Sequence, residues 1–364
     1  MTKEKSNVVV SEMANTHYVY MDIIRILATY LVIFTHTGNL GSKLYIYGSY
    51  DKTHKLIYII ADVLRCVNVP LFFMISGALL LPKQESYKRL FSKRVAKYAI
   101  VLIIMSYFYF VVYYKNSWYD FKLFFEQLCT QYVTGLYWFL YAYLGYLLIL
   151  PFLRSMVNAM GKKDFRYFMV LGILFKGILN VGIGLCGWES KFLVPFYLGE
   201  DAIFYPVMGF YFSNIIATSD EMNRKEKREL GAGCVLSLIC VLSTVYIMHW
   251  EACIKGEYSE TYLMNFTVIP TLFTFMAIKC GCLKHNISER GRKVIKFIAD
   301  NSFGVYLFST FAQVNLVGVY FFFFRLTGEK LPLISSYLYV LVVMMVEVVV
   351  VALLRKIPLI RKLM

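Results

Sequence analysis

Two ionisable residues interrupt the otherwise apolar stretch "IIRILATYLVIFTHTGN", residues 23 to 39. Arg25 and His36 lie eleven positions apart. At 100° per residue that is about 20° beyond three full helical turns, so both fall on one helix face, ~16.5 Å apart along the axis. An ionisable group in hydrocarbon costs at least ~2.5–3.5 kcal/mol and normally faces a cavity or a partner. Histidine takes up a hydroxyl proton near neutral pH, the work of a general base. Asp22, three residues before Arg25, is spaced to pair with it. A plainer arrangement fits the same spacing: Arg25 reaches back to the interface and His36 caps the outer end of the helix.

A second polar set follows in "RCVNVPLFFMISGALLL", residues 65 to 81. Counted from Leu81, Arg65 stands ~24 Å above the inner edge, and His36 stands ~21 Å above Asp22. The two share one level if they belong to adjacent spans. Pro70 breaks the helix below Arg65. Ser76-Gly77 leaves a small surface for another backbone or a ligand. Six basic residues follow between Lys83 and Lys97, among them Lys93, Arg94 and Lys97. They suit anionic lipid headgroups or, alternatively, the phosphates of a cytosolic ligand.

The elements that must position these groups are membrane helices. The 364 residues are 59% hydrophobic with a mean hydropathy of +0.58. Ten apolar blocks of roughly bilayer length run over 20–37, 56–81, 95–114, 137–153, 167–185, 196–216, 230–250, 262–279, 301–324 and 333–354. Period-two alternation is absent, which excludes a membrane barrel. The expected fold is all-α, a polytopic bundle of about ten transmembrane helices. The net charge of +15 does not call for nucleic acid. Of the 38 Lys and Arg residues, 26 fall in the even-numbered loops and both tails and nine in the odd-numbered loops. That bias places both termini in the cytoplasm. The organisation is a polar tail over 1–19, one membrane unit over 20–354 and a short basic tail over 355–364. The first span reads as retained rather than cleaved. Most of the eight cysteines sit in or beside spans, where packing is their ordinary use. No metal-ligand spacing, Walker loop or GxSxG elbow occurs, so any chemistry uses polar groups inside the bundle.

These motifs resemble acyltransferase family 3, integral-membrane acyltransferases of cell-surface sugars. Arg25-x10-His36 is similar to its first-span signature, "VPLFFMISGALLL" to its second-span motif, and Arg94-Val-Ala-Lys97 to its Arg-x-x-Arg motif. "LYWFLYAYLGYLLILPFLR" (136–154), "FYPVMGFYFS" (204–213) and "NSFGVYLFST" (301–310) echo later spans. Ser309 stands where relatives often carry histidine. The resemblance implies a cell-membrane enzyme of the O-acetylation type. It would move an acyl group, usually acetyl, from cytosolic acyl-CoA to a hydroxyl of a cell-surface glycan or lipid-linked sugar. Acetyl-CoA is then a substrate, with no permanently bound cofactor and no metal. His36 becomes the candidate base, with Arg25 and Asp22 beside it on the helix. Lys93, Arg94 and Lys97 form the coenzyme A mouth, and Arg65 or the Ser76 region stabilises an oxyanion. The acyl group, the acceptor, a covalent acyl-enzyme and oligomeric state all stay open. A transporter or flippase for a surface polymer, and a sensor or anchor module, are the rival readings.

Five other residues complete the set. Lys176 and Glu347 lie at similar depths and are expected to pair. Glu200 and Asp201, at the outer start of the sixth block, face solvent or meet sugar hydroxyls. Trp138 belongs to an interfacial belt or stacks on a sugar.

Overall fold

The computed structural model describes residues 19–48, 50–115, 118–186, 201–216, 224–256, 258, 267–284, 287–327 and 331–364. Among these the secondary structure is helical and no strand occurs, as lipid demands of a backbone that must pair with itself. The main helices are α1 (Val19–Thr35), α2 (Lys52–Arg65), α3 (Asn68–Leu80), α4 (Ala96–Tyr113), α5 (Phe121–Thr130), α6 (Trp138–Ala159) and α7 (Lys162–Gly172). They continue with α8 (Asp201–Phe210), α9 (Arg224–Lys255), α10 (Val268–Lys284), α11 (Glu289–Asn315), α12 (Val317–Thr327) and α13 (Pro332–Leu354).

Among the described residues, six helical runs are each long and apolar enough to cross a bilayer: Lys52–Leu80, Tyr87–Tyr113, Gly135–Ala159, Lys162–Ile183, Lys227–Lys255 and α13. The bent pair α11–α12 makes a seventh if it counts as one span. The sequence leads one to expect ten. Of the other blocks, α1 has 17 residues and α8 has 10, and the apolar part of α10 is Val268–Cys282. Each is shorter than the ~20 residues that hydrocarbon thickness requires of a straight span. The ninth block departs from the straight span expected over 301–324. Its helix ends at Asn315 and resumes at a 65° bend. The Asn315 side chain donates to the Phe311 carbonyl at 2.7 Å, a local bond that competes with continued helix.

α1 sits inside the bundle, packed against α3, α10, α11 and α13. Tyr20, Ile24, Ala28 and Val32 of α1 are buried at helical spacing in the main core. The closest crossing joins α3 to α8. A Cβ on Gly77 would lie 1.9 Å from the Pro206 carbonyl oxygen, and one on Gly209 would lie 2.0 Å from that of Met74. Two glycines thus allow backbone-to-backbone contact, and Ser76, next in the chain, is left facing a cavity. The basic loops gather at one end of the bundle. There Glu85 joins Arg94 to Arg154, Arg166 meets Glu229, and Arg355 donates to the Asp300 carbonyl at 2.7 Å.

Candidate functional site

The break between α2 and α3 builds the first half of the site. A proline ring clashes with the carbonyl four residues before it. For Pro70 that residue is Cys66, and α2 stops at Arg65 with Cys66 as its cap. The break therefore falls four residues earlier than the proline itself, and it leaves Arg65 and Asn68 on either side of a two-residue interruption of the helix. Arg65 Nε donates to Asp62, whose second carboxylate oxygen accepts from Tyr45 Oη at 3.0 Å. Asn68 Nδ2 donates to Thr35 Oγ1 at 2.8 Å. The bond from Asn68 holds this interruption against the end of α1.

His36 is the residue after α1, and its backbone N–H donates to the carbonyls of Ile33 and Val32 at 3.1 and 3.3 Å. Its side chain is exposed, and among the described residues the ring makes no hydrogen bond or ion pair. It does not cap the helix with its side chain. It lines a cavity of about 240 Å³, far from the basic end, together with Arg65, Asn68, Trp138, Lys176, Asp201 and Tyr205. His36 and Arg65, which depth counting sets at one level, line the same cavity.

A second cavity, of about 450 Å³, opens toward the basic end. Arg25, Ser76, Lys83, Arg94, Asp300 and Arg355 line it, with Tyr98 and Tyr143. Arg25 pairs with Asp22 at 3.4 Å, as its spacing predicts. Arg94 sits in a π-helical turn, Phe91–Val95, a local widening common at functional positions. Its Nε reaches Glu85 at 2.8 Å, and Arg154 Nη2 reaches the same carboxylate oxygen at 2.9 Å. Arg154 also donates twice to the Leu80 carbonyl, at 3.0 and 3.2 Å, which ties the end of α3 to α6. Burial opposes ionisation of Glu85, but the hydrogen bonds and charges of Arg94 and Arg154 outweigh it and hold the carboxyl below its usual range.

Phe72, Phe139 and Tyr306 line both cavities. Phe139 meets Tyr306 edge-on at 5.7 Å and lies 5.9 Å from Phe72. Tyr306 is tethered by a hydrogen bond to the Leu136 carbonyl at 2.7 Å. An aromatic neck therefore separates the chamber of Arg25 from the chamber of His36.

Several sequence expectations need correction. Ser76 belongs with Arg25, on the other side of the neck from Arg65 and His36. Lys93 is exposed and Lys97 half-buried, and neither is among the residues that line these two cavities. Lys83 and Arg355 line the second cavity with Arg94. Lys176 pairs with Asp201, not with Glu347, because the π-helical turn Ile173–Leu179 carries it to the start of α8. The Glu347 carboxylate is buried on α13 without a hydrogen-bond partner among the described residues. Trp138 and Asp201 line the chamber of His36; Glu200 lies outside the described residues. Lys83 belongs to the basic cluster that the sequence offers for phosphates, whereas Arg355 and Arg154 were visible there only as orienting charges.

An all-helical bundle with apolar spans and two polar cavities meeting at a neck defines a polytopic membrane protein with a polar interior. Residues 18–355 match the family model of an acyltransferase domain, so the chain belongs to the acyltransferase 3 family of membrane acyltransferases. No curated protein and no solved structure matches.

Proposed function

We propose that this membrane acyltransferase takes acyl groups, acetyl foremost, from cytosolic acyl-CoA in the chamber of Arg25. It delivers them to a hydroxyl of a cell-surface glycan or lipid-linked sugar in the chamber of His36. One observation carries the reading: the two chambers meet at Phe72, Phe139 and Tyr306, with a cationic group on one side and an imidazole on the other. Arg94, Lys83 and Arg355 meet the phosphates of coenzyme A by charge-assisted hydrogen bonds. The slender, mostly uncharged pantetheine arm passes the neck and presents the thioester to His36. The imidazole takes the proton of the acceptor hydroxyl as its oxygen attacks the thioester carbonyl. Arg65, which lines the same chamber, stabilises the oxyanion of the tetrahedral intermediate. Collapse expels the thiolate of coenzyme A, which takes the proton back from the imidazolium. Asp22 holds Arg25 at the donor side, and Ser76 contacts the pantetheine arm there. In this reading the basic end is cytoplasmic, both termini lie there, ten helices span the cell membrane, and neither metal nor nucleic acid takes part.

The test is incubation of purified protein with radiolabelled acetyl-CoA and measurement of thiol release and labelled product. Release that depends on acceptor and is lost in His36→Ala supports the reading. Flux of an intact sugar across vesicles without thiol release would sink it in favour of a transporter.

A further inference from the structure

We infer that the chamber of His36 contains a sugar subsite made by Trp138, Lys176 and Asp201, and that it selects one neutral pyranose ring presenting two adjacent hydroxyls. The use of this subsite rests on the transferase reading; its existence does not. Trp138 opens α6 and keeps 37% of its surface exposed while lining the chamber. A flat apolar ring at the edge of a polar cavity suits the C–H face of a pyranose, which is itself apolar while its rim is polar. Lys176 and Asp201 form an ion pair whose lysine is buried but whose carboxylate side chain is 28% exposed. Both line the same chamber. Side by side, the ammonium and the carboxylate offer one donor and one acceptor. Vicinal hydroxyls answer them, one donating to Asp201 and the other accepting from Lys176.

Charge narrows the ligand further. Lys176 is compensated by Asp201 and Arg65 by Asp62, so neither cation is left over to hold an acidic sugar. Size narrows it again. A volume of about 240 Å³ lies just below the ~300–1,000 Å³ range of ordinary small-ligand pockets, the scale of one ring rather than an oligosaccharide. The rest of a longer acceptor stays outside. A hydroxyl of the bound ring then faces His36 across the same chamber.

The experiment uses full-length protein in nanodiscs with Trp138 as its one tryptophan (Trp118→Phe, Trp188→Phe, Trp250→Phe) and no acyl-CoA present. Methyl α-mannopyranoside, methyl β-glucopyranoside and methyl β-glucuronopyranoside are titrated while the emission of Trp138 is followed. A saturable change is expected with at least one neutral glycoside, with affinity at least about tenfold weaker for the uronoside. Asp201→Asn should weaken neutral-glycoside binding about tenfold, the usual scale for losing a hydrogen bond to a charged group. No saturable change with either neutral glycoside, or equal affinity for the uronoside, overturns the subsite. Both results come from the single-tryptophan protein, and isothermal titration of the parent with the same glycosides must give the same order of affinities. A second measurement separates the two proposals, using the bound glycoside as acceptor in the thiol-release assay. If the parent releases thiol but Trp138→Ala leaves the KM for glycoside unchanged while Trp138→Phe also has no effect, the subsite fails and the transferase reading stands. If the glycoside binds and thiol is never released, the subsite stands and the transferase reading falls.

Discussion

In the proposed reaction His36 is the base and Arg25 belongs to the donor side, and Phe72, Phe139 and Tyr306 stand between their two chambers. His36→Ala should therefore lower the transfer rate by about 10²–10⁴-fold, the range for loss of a general base, while coenzyme A affinity stays near that of the parent. An interaction made only in the transition state affects turnover and spares ground-state binding. Arg25→Ala should behave differently, because it removes a partner of Asp22 from the chamber proposed for the donor. Affinity and turnover should fall together, and Arg25→Lys should restore part of both, since the charge survives without the planar fork. Isothermal titration with coenzyme A beside initial rates distinguishes these outcomes; a His36→Ala protein that transfers at the parental rate would remove the base. Glu85 gives a pH-dependent counterpart at the basic end. Its carboxyl is held below the usual range in the folded protein, so the stability it contributes is present above its unfolded value of about 4.3 and is lost as pH falls through the folded value. Thermal unfolding in detergent should show the parent losing stability on acidification more steeply than Glu85→Gln. At neutral pH Glu85→Gln should be the less stable of the two, because Arg94 and Arg154 lose their shared anion. Parallel pH profiles would mean that the Glu85 bridge adds nothing to stability.

At the scale of elements, the α3–α8 crossing decides where the chambers lie. Backbone contact at Gly77 and Gly209 brings α8, and Asp201 at its start, against the helix that carries Phe72 and Ser76. Gly77→Ala should destabilise the protein by roughly 1–3 kcal/mol, the scale of forcing extra volume into a packed core. Here the obstructing atoms are backbone and cannot swing aside. Gly145→Ala on α6 is the matched control, because a Cβ there meets nothing within 4 Å. It should be neutral or slightly stabilising through helix propensity. Thermal shift of both variants in one detergent reads the difference, and equal melting temperatures would contradict the crossing. The same elements explain what was legible in the sequence. Helical spacing alone pairs Arg25 with Asp22, because that relation lies within α1, whereas His36 follows the end of the helix. Depth counting brings Arg65 level with His36, since consecutive spans are neighbours here. Lys176 defeats that logic: its partner depends on a π-helical turn that shifts the face it presents, and hydropathy does not register such a turn. The position of Ser76 was likewise hidden, because Gly77 beside it could approach a helix or a ligand equally well. The neck was hidden for a third reason. Phe72, Phe139 and Tyr306 come from three distant helices, and in a chain with 30 phenylalanines and 30 tyrosines no local signal separates them from the rest.

For the whole molecule the governing quantity is the asymmetry of charge between its two ends. The 38 basic residues outnumber 23 acidic ones, and the contacts of Arg94, Arg154, Arg166 and Arg355 gather at one end. The larger chamber opens toward that end, with Arg25, Lys83, Arg94 and Arg355 on its walls. Such a field attracts a polyanion and is screened by salt, with a Debye length of about 8 Å at physiological ionic strength. Donor affinity should therefore fall as salt rises, and more gently in Arg94→Ala. Orientation follows from the same asymmetry, because basic loops are retained on the cytoplasmic side. In a protein stripped of its native cysteines, Lys88→Cys should react with an impermeant maleimide only after the membrane is opened. Lys122→Cys, on α5 between the third and fourth apolar blocks, should react in intact cells. Both side chains are exposed, so accessibility to the reagent reports sidedness and not burial. Labelling of Lys88→Cys from outside would put the cationic chamber on the wrong face for a donor made in the cytosol. The direction of transfer would then fall with the topology, even if His36 proved to be the base.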